Sequence, residues 1–353
     1  MPNYSKFNHR LEQVSAGQVS SIAKIDELKG GWASGIRLSP QSLGRLKRSV
    51  LVTSTGASTR IEGANLSDQE IEKLMRGIDI ETFSNRDDQE VAGYYELLAN
   101  VFDSWGAITF SEPSLKHFHQ ELLKYVEKDI THRGAYKKQE NKVQMVDEAG
   151  QSLAILFDTT PPHLVPKEMQ ELLEWTITAL NDRMFHPLLV IGNFIVEFLA
   201  IHPFQDGNGR LSRILTNLLM LQSGYLYMPY VSHEKLIEDN KPEYYIALRT
   251  AQKTIALGED DISSWLDFFF SVLDKQAQLA HQLLTSENVE LLLSEKQLLV
   301  WQYLQTVDFA SPKEIAEKTS VAYATVRQSL EKLMALKRIQ RVGQGRSTRY
   351  KVM

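Results

Sequence analysis

No cysteine occurs among the 353 residues of the chain. This absence excludes disulfide bonds, a thiol nucleophile and every metal centre built on thiolate ligands. A metal ion would therefore need oxygen or histidine ligands. Glycine and proline are scarce too, with 19 and 11 residues, which excludes collagen-like and low-complexity chains. The 43% of hydrophobic residues is ordinary for a globular protein, and the length predicts two to three domains.

The sequence also lacks a hydrophobic run long enough to cross a bilayer. Its most apolar stretch, residues 187–201, is shorter than a membrane span and contains Asn193 and Glu197. The first residues show no basic segment followed by an apolar one, so no signal peptide is expected. We therefore predict a cytoplasmic protein that does not contact a membrane.

The net charge of the chain is small, but its charged residues are unevenly distributed. The formal net charge is −5, which argues against nucleic-acid binding by the chain as a whole. Residues 320–353, however, contain one acidic residue, Glu331, and are otherwise basic. The basic residues of this segment are Arg327, Lys332, Lys337, Arg338, Arg341, Arg346, Arg349 and Lys351. This asymmetry predicts a separate C-terminal unit with a partner of its own.

Hydrophobic periodicity predicts a mainly α fold with one small β-hairpin. The predicted helices cover residues 40–54, 68–77, 112–129, 166–183, 187–201, 209–222 and 241–257. Residues 133–157 alternate polar and apolar side chains around a turn at 147–150, which is typical of a hairpin.

Residues 294–353 show a different pattern. Helices predicted over 294–307, 311–319 and 322–336 precede two short strands around a glycine-rich turn. This order resembles a winged helix-turn-helix, with 322–336 as the recognition helix and 343–347 as the wing. The chain is thus predicted to divide into an N-terminal helical region at 1–110, a core at 111–275, and a winged helix-turn-helix domain at 290–353. The linker is placed within 274–292.

The segment HPFQDGNGRLSR at 202–213 combines a proton acceptor with groups that bind phosphate. Gly207, Asn208 and Gly209 precede a helix whose first backbone N–H groups can hold an anion. Arg210 and Arg213 are spaced to share one helical face and to reach a polyphosphate. Asp206 offers the oxygen ligand that Mg²⁺ prefers. His202 can take a proton near neutral pH, and Phe204 is expected to hold the loop in the core.

This segment resembles the signature of the Fic family, HxFx(D/E)GNGRxxR, at all of its fixed positions. The resemblance implies a Fic helical core and a nucleotidyltransferase, usually one that transfers AMP from ATP to a protein hydroxyl. It also implies that His202 deprotonates the target and that Asp206 holds Mg²⁺ on the phosphates. Phosphate binding would fall to Gly207, Asn208, Gly209 and Arg210, with Phe204 beside the nucleotide and Arg213 facing the γ-phosphate.

The resemblance extends to the flanking segments. The hairpin at 140–156 lies where Fic proteins place a flap, whose edge strand can hydrogen-bond an extended target protein. Tyr244, at the start of a helix, matches the element that packs an aromatic ring near the base. A homodimer is a further expectation from the resemblance.

Residues 58–63, STRIEG, resemble the inhibitory motif (S/T)xxxE(G/N) of Fic proteins that carry it before the core. Ser58, Glu62 and Gly63 fill its fixed positions. We expect the Glu62 carboxylate to pair with Arg213 and to occupy the guanidinium that should hold the γ-phosphate.

Other interpretations stay open at this stage. His202 alone is also typical of a buried structural histidine, and Arg210 and Arg213 are also typical of surface charges, although neither interpretation explains the spacing. The same residues would serve removal of AMP or transfer of another nucleotide or phosphate group. A DNA-binding regulator that acts through the winged helix is a further alternative. The winged helix would also suit a module that docks another protein.

Overall fold

The helices predicted from hydrophobic periodicity are present in the structure, a computed structural model that describes residues 5–35, 38, 40–76, 85–146, 152–285, 293–343 and 348–352. Two compact units are formed, one by residues 1–36 and 40–283 and the other by residues 284–353 together with 37–39. The predicted boundary between 1–110 and 111–275 lies inside the first unit. None of the described helices is both long and apolar enough to span a bilayer.

The first unit is mainly α-helical, as predicted. Its helices are α1 (Ser5–Glu12), α2 (Ala16–Gly35), α3 (Pro40–Ile61), α4 (Asp68–Arg76), α5 (Arg86–Ser104), α6 (Glu112–Leu122), α7 (Val165–Asn181), α8 (Pro187–Ile201), α9 (Asn208–Gln222), α10 (His233–Asp239), α11 (Lys241–Leu257) and α12 (Ser263–Thr285). The predicted hairpin is formed by the antiparallel strands β1 (Lys142–Val146) and β2 (Ser152–Asp158), with Lys142 opposite Asp158. Its predicted turn at 147–150 lies outside the described residues.

Helix α8 is the centre of the hydrophobic core. Every residue from Leu188 to Leu199 is buried, as expected for a helix that is apolar on all sides. Helix α8 packs against α1, α7, α9 and α11. Because α8 and α9 are joined directly by residues 202–207, the core fixes both ends of the segment that contains the motif.

The two polar residues of α8 are satisfied by α1. Glu197 pairs with Arg10 at 2.6 Å and with Lys6 at 2.8 Å, and Asn193 donates to the Phe7 carbonyl at 3.0 Å. Burial alone would raise the pKa of Glu197, but the two cations lower it below its usual value. Glu197, the acid that makes residues 187–201 unsuitable for a membrane, therefore forms buried ion pairs that hold helix α1 on the core.

Two predicted helix ends were wrong. Helix α3 continues seven residues beyond Ser54 to Ile61, because Ala57, Ser58 and Ile61 continue its buried face. Helix α6 ends at Leu122, and only a 3₁₀ turn follows at Glu127–Asp129. Helix α12 covers 274–285, so this part of the predicted linker is helical.

The second unit contains α13 (Glu295–Leu304), α14 (Pro312–Thr319) and α15 (Tyr323–Ala335), followed by β3 (Ile339–Val342) and β4 (Arg349–Val352). Strands β3 and β4 pair antiparallel, and an isolated bridge joins Ala310 to Tyr350. The order of elements agrees with the prediction. Most of the predicted wing, 344–347, lies outside the described residues, so its assignment as a winged helix stays a prediction.

Gly93 allows α5 and α6 to approach closely. A Cβ at Gly93 would lie 2.1 Å from the Leu122 carbonyl oxygen, whereas a Cβ at Gly106 would meet nothing within 4 Å. We expect Gly93→Ala to lower the free energy of unfolding by about 1–3 kcal/mol, because the helices must separate. Gly106→Ala is the control and should change it far less. Denaturant unfolding of both variants checks this, and equal losses would contradict it.

Candidate active site

The motif occupies a short loop between two buried helices. Helix α8 ends at Ile201, and His202 follows in the left-handed conformation, with φ 52°. Gly207, with φ 79°, precedes the first residue of α9. The two residues with positive φ thus lie at the two ends of a six-residue loop. The first backbone N–H groups of α9 face this loop, where they would stabilise an anion.

Asn208 and Phe204 close this loop from inside. The Asn208 side chain accepts a hydrogen bond from the Phe204 N–H at 2.9 Å and donates one to the Phe204 carbonyl at 2.8 Å. The Phe204 ring is fully buried, as predicted, and stacks on His119 with 3.9 Å between ring centroids. The side chain of Asn208 therefore holds the loop, and its backbone N–H is the group left for phosphate.

His202 is a neutral imidazole in this environment. Burial, reinforced by the charge of Lys137, lowers the pKa of His202 to about 4. Its Nδ1 lies 3.4 Å from the Leu199 carbonyl oxygen, so Nδ1 is the nitrogen that carries the proton. Nε2 is then the nitrogen free to accept a proton, which is the state a general base needs.

Asp206 lies between two arginines. Its Oδ2 accepts from Arg210 Nη2 at 3.0 Å and from Arg86 Nη2 at 2.9 Å. Burial alone would raise the pKa of Asp206, but Arg210, the Gly207 N–H and Arg86 together lower it. The group is thus an ionised carboxylate whose side chain is 37% exposed.

The donor set around Asp206 fits a magnesium ion bound together with a nucleotide. Mg²⁺ in phosphate sites is commonly held by one or two carboxylates, with phosphate oxygens and water completing the shell. Asp206 supplies one such carboxylate beside the N-terminus of α9. No cluster of three or more acidic or histidine side chains suited to a metal occurs in the described part of the chain, so the remaining ligands would come from the nucleotide.

Arg213 is almost completely buried and is bound by the residues of the predicted inhibitory motif. It donates to the Ser58 hydroxyl at 2.8 Å, to the Ser58 carbonyl at 2.9 Å and to Glu62 Oε1 at 2.7 Å. The predicted pairing of Glu62 with Arg213 is therefore present. Burial alone would lower the pKa of Arg213, but nearby charges, of which Glu62 has the largest effect, raise it above its usual value.

Glycines make this approach of Glu62 possible. Helix α3 ends at Ile61, and Gly63, the residue after Glu62, has φ 103°, a conformation that favours glycine. A Cβ on Gly209 would lie 2.3 Å from Glu62 Oε1. The carboxylate thus lies against the first turn of α9, in the space predicted for phosphate.

Two buried guanidinium donors at this place have no acceptor within the described residues. They are Arg210 Nε and Arg213 Nη1. Buried guanidinium donors without acceptors are uncommon in folded proteins. A phosphate group entering the space of Glu62 would supply the missing acceptors.

Comparison with known proteins agrees with this geometry. The model of the Fic/DOC family matches residues 109–220, which include the hairpin, α8, the loop and most of α9. The chain contains a Fic/DOC domain at residues 109–220. The matched segment begins after Ser58 and Glu62, so their contacts with Arg213 join α9 of the Fic domain to residues that precede the domain.

Sequence relatives match about a quarter of the chain. A probable protein adenylyltransferase of Aquifex aeolicus is 32% identical over 97 residues, which are 28% of this chain and 27% of that protein. Protein adenylyltransferase fic-1 of Caenorhabditis elegans is 31% identical over 98 residues, 27% of this chain and 17% of that protein. A Fido domain-containing protein of Dictyostelium discoideum is 33% identical over 99 residues, 28% of this chain and 65% of that protein. The matches thus span about a quarter or less of the two adenylyltransferases.

Solved structures share the fold over a longer range. A Fic family protein from Desulfovibrio desulfuricans has a TM-score of 0.66 at 22% identity, and the match covers 97% of each chain. Fic-1 from C. elegans has a TM-score of 0.61 at 20% identity, covering 77% of this chain and 74% of that one. At these identities the likeness shows the fold alone.

Two residues that the sequence did not reveal connect the Fic loop to the base of the hairpin. His119 accepts from the Gly134 N–H at 2.9 Å, and its Nε2 lies 3.0 Å from the Asp206 carbonyl oxygen. Lys137 donates to Thr159 at 2.6 Å and to the Ile201 carbonyl at 3.2 Å. Burial lowers the pKa of His119 to about 4 and that of Lys137 to about 8. Both residues position the loop from outside the motif.

Tyr244 is buried beside Arg213. Its ring packs against Tyr245 and Trp265, with centroids 5.1 and 5.9 Å away, and burial raises its pKa to about 12. Tyr244, Arg213 and His233 line one small cavity. A role of Tyr244 and Phe204 beside the nucleotide stays a prediction.

We expect buried histidines to make the stability of the first unit depend on pH. Burial lowers the pKa of His233 from 6.5 to about 4. Between these two pH values the unfolded chain binds one more proton, so the free energy of unfolding falls as the pH is lowered. We expect His233→Phe to reduce this slope by about 1 kcal/mol per pH unit. Denaturant unfolding between pH 4.5 and 7.5 measures it.

The matched control is His163→Phe, because His163 is exposed and lies in a turn. This substitution should leave the slope as it is in the unmodified protein. A slope in His233→Phe that equals that of the control would show that His233 does not titrate on unfolding.

Proposed function

We propose that the chain is a protein adenylyltransferase that transfers AMP from ATP to a serine, threonine or tyrosine hydroxyl of a target protein. The observation that carries the proposal is the single loop on which His202, Asp206 and the N-terminus of α9 lie together, with buried guanidinium donors beside it. The names of the sequence relatives, which are adenylyltransferases, favour the same reaction.

The chemistry follows from the groups at the loop. His202 Nε2 accepts the proton of the target hydroxyl as the oxygen attacks the α-phosphorus of ATP. A bond forms between this oxygen and phosphorus, the bond from the α-phosphorus to the bridging oxygen breaks, and pyrophosphate leaves with the electron pair. The N–H groups of α9 and the guanidinium of Arg210 stabilise the charge on the phosphates. A magnesium ion on Asp206, when bound, would neutralise phosphate charge and orient the leaving group.

We further propose that Glu62 inhibits this reaction. A carboxylate and a γ-phosphate compete for the same guanidinium, and both are anions that cannot share it without repulsion. Glu62 has 33% of its side chain exposed, whereas Arg213 has 2%. The carboxylate is therefore the member of the pair that can move, while the arginine stays in place for ATP.

The target protein is proposed to bind at the hairpin. Strands β1 and β2 form a two-stranded sheet, so each has an edge that can add an extended segment. The buried contacts of Lys137 and Asn141 connect the base of this sheet to the loop: Asn141 donates to the Phe204 carbonyl at 3.0 Å. A strand added there would bring its hydroxyl toward His202.

Glu62→Gly tests the proposed inhibition. We expect this variant to incorporate AMP from labelled ATP at least about tenfold faster than the unmodified protein, the scale of one charge-assisted hydrogen bond. His202→Ala in the same background should abolish incorporation. Glu259→Gly, which removes an exposed acid just after another helix end, is the control. Equal rates in the Glu62→Gly and unmodified proteins would contradict the inhibition.

The melting temperature gives a second measure. Removal of Glu62 leaves Arg213 buried without its carboxylate, which destabilises the fold. ATP should therefore raise the melting temperature of Glu62→Gly more than that of the unmodified protein.

Mass spectrometry of Glu62→Gly with several nucleotides and a cell lysate distinguishes AMP addition from removal of AMP and from transfer of another group.

A second candidate function is binding of duplex DNA by the C-terminal unit. On α15, Tyr323 and Arg327 are exposed, with 52% of Tyr323 and 64% of the Arg327 side chain accessible. Arg341 on β3 is exposed as well. Lys332, in contrast, donates to Gln297 within the unit, and Arg346 lies outside the described residues. Arg327, although it lies 4.0 Å from Glu331 on the same helix, and Arg341 are exposed cations that suit the DNA backbone.

Arg327→Ala tests this second candidate in the full chain. We expect the affinity for duplex DNA to fall about three- to tenfold, with a weaker salt dependence, because one cation that neutralises a phosphate is lost. Lys313→Ala, on the exposed start of α14, is the control for net charge. Fluorescence anisotropy measures the DNA affinity of both variants between about 50 and 200 mM salt, the range in which contacts to DNA phosphates weaken. Binding that persists without residues 290–353 would contradict the assignment to this unit.

A further inference from the structure

Four charged side chains at the loop form a closed ring of alternating sign. Arg86 Nε donates to Glu90 Oε1 at 2.7 Å, and Glu90 Oε2 lies 2.6 Å from Arg210 Nη1. Arg210 Nη2 donates to Asp206 Oδ2 at 3.0 Å, and Arg86 Nη2 closes the ring on the same oxygen at 2.9 Å. Two carboxylates and two guanidinium groups are thus mutually neutralised.

Half of this ring comes from outside the Fic motif. Arg86 is the first residue of α5, and Glu90 lies one turn later on the same face. Both precede residues 109–220, which match the family model. The N-terminal helices therefore supply partners to both charged ends of the loop, to Arg213 through Glu62 and to Asp206 through Arg86.

The ring has a buried side and an open side. The side chains of Arg210 and Glu90 are 3% and 10% exposed, whereas those of Arg86 and Asp206 are 49% and 37% exposed. The contact between Arg86 and Asp206 is the only one of the four in which both partners reach solvent. It is therefore the contact that can open without exposing a buried charge.

This open contact involves the carboxylate that would hold the metal. Asp206 Oδ2 already accepts from two guanidinium groups, and a divalent cation on this oxygen would repel both of them. Arg210 is held in the buried half of the ring by Glu90. Arg86 is the cation that can swing into solvent and make room.

We propose that Arg86 occupies the place of Mg²⁺ on Asp206 in the nucleotide-free protein, and that the metal must displace it to bind. The inference rests on the proposed function, because it takes ATP and Mg²⁺ as ligands of the loop. Arg86 is a positioning residue in this account: it orients the Asp206 carboxylate through its hydrogen bond, and it makes metal binding weaker. Glu90 retains the arginines and shares their charge with Asp206.

The experiment measures how much Mg²⁺ strengthens nucleotide binding. The probe is an ATP analogue with a methylene bridge between the α- and β-phosphates, titrated by calorimetry with Mg²⁺ and with EDTA. The ratio of the two dissociation constants is the metal-dependent gain in affinity. All variants carry Glu62→Gly, so that Arg213 is open to the analogue.

Arg86→Ala should increase the metal-dependent gain about three- to fivefold, the scale of one partly exposed ion pair. Affinity in EDTA should change less, because Arg86 does not contact the phosphate-binding groups of α9. Lys24→Ala is the matched control: it removes a half-exposed cation paired with Asp274 at 2.7 Å and should leave the gain unaltered.

Glu90→Gln should have the opposite effect. Without Glu90, both arginines depend on Asp206 alone, so the gain should fall, while Arg210 becomes more available to phosphate and binding in EDTA tightens. A general loosening of the loop would instead move the gain in the same direction in both variants. If Glu90→Gln does not fold, the Arg86→Ala measurement decides alone, because its side chain is half exposed.

The failures are distinguishable. An unchanged gain in Arg86→Ala overturns the inference and leaves the proposed function standing. A loss of affinity both with Mg²⁺ and in EDTA also overturns it, since Arg86 would then bind phosphate itself. If the Glu62→Gly protein binds no analogue under either condition, the proposed function fails and this inference fails with it.

Discussion

The N-terminus of α9 concentrates positive charge that must be neutralised inside the protein. Arg210 and Arg213 have 3% and 2% of their side chains exposed, and they lie on a helix end that already carries a partial positive charge. A buried cation without an anion costs several kcal/mol. The two guanidinium groups therefore need carboxylate partners inside the protein, and Glu90 and Glu62, from outside the loop, supply them.

The carboxylates come from two helices that are themselves held by polar contacts. Helix α3 is fixed near Glu62 by Arg60, which pairs with Glu238 of α10 at 2.6 Å. Helix α5 approaches α6 closely at Gly93, and Tyr94 donates to the buried Glu234 at 3.0 Å. These contacts explain why an acid distant in sequence reaches a buried guanidinium with hydrogen-bond geometry. They also show that the N-terminal helices are part of the same compact unit as the Fic domain.

The fold class and the centre of the site were predictable from the sequence, because both depend on local patterns. The periodicity of α8 and the spacing from His202 to Arg213 are visible along a few turns of chain. The pairing of Glu62 with Arg213 was predictable only through the resemblance of residues 58–63 to a family motif. Arg86 and Glu90 carry no such signal: on the sequence they are an ordinary ion pair in the first turn of a helix, and only the packing of α5 brings them to the loop.

The roles of His119 and Lys137 could not be predicted from the sequence for the same reason. Each is a polar residue in a segment whose pattern gives no reason for burial, and each acts on residues more than sixty positions away through backbone carbonyls. The two internal carboxylates at α9 differ in a further way that no sequence pattern contains. Glu62 is one-third exposed, whereas Glu90 is nearly buried and cannot leave without stranding a charge. Under the proposed function, a phosphate would replace Glu62 while Glu90 keeps its guanidinium, so that the loop would exchange a single anion and keep its shape.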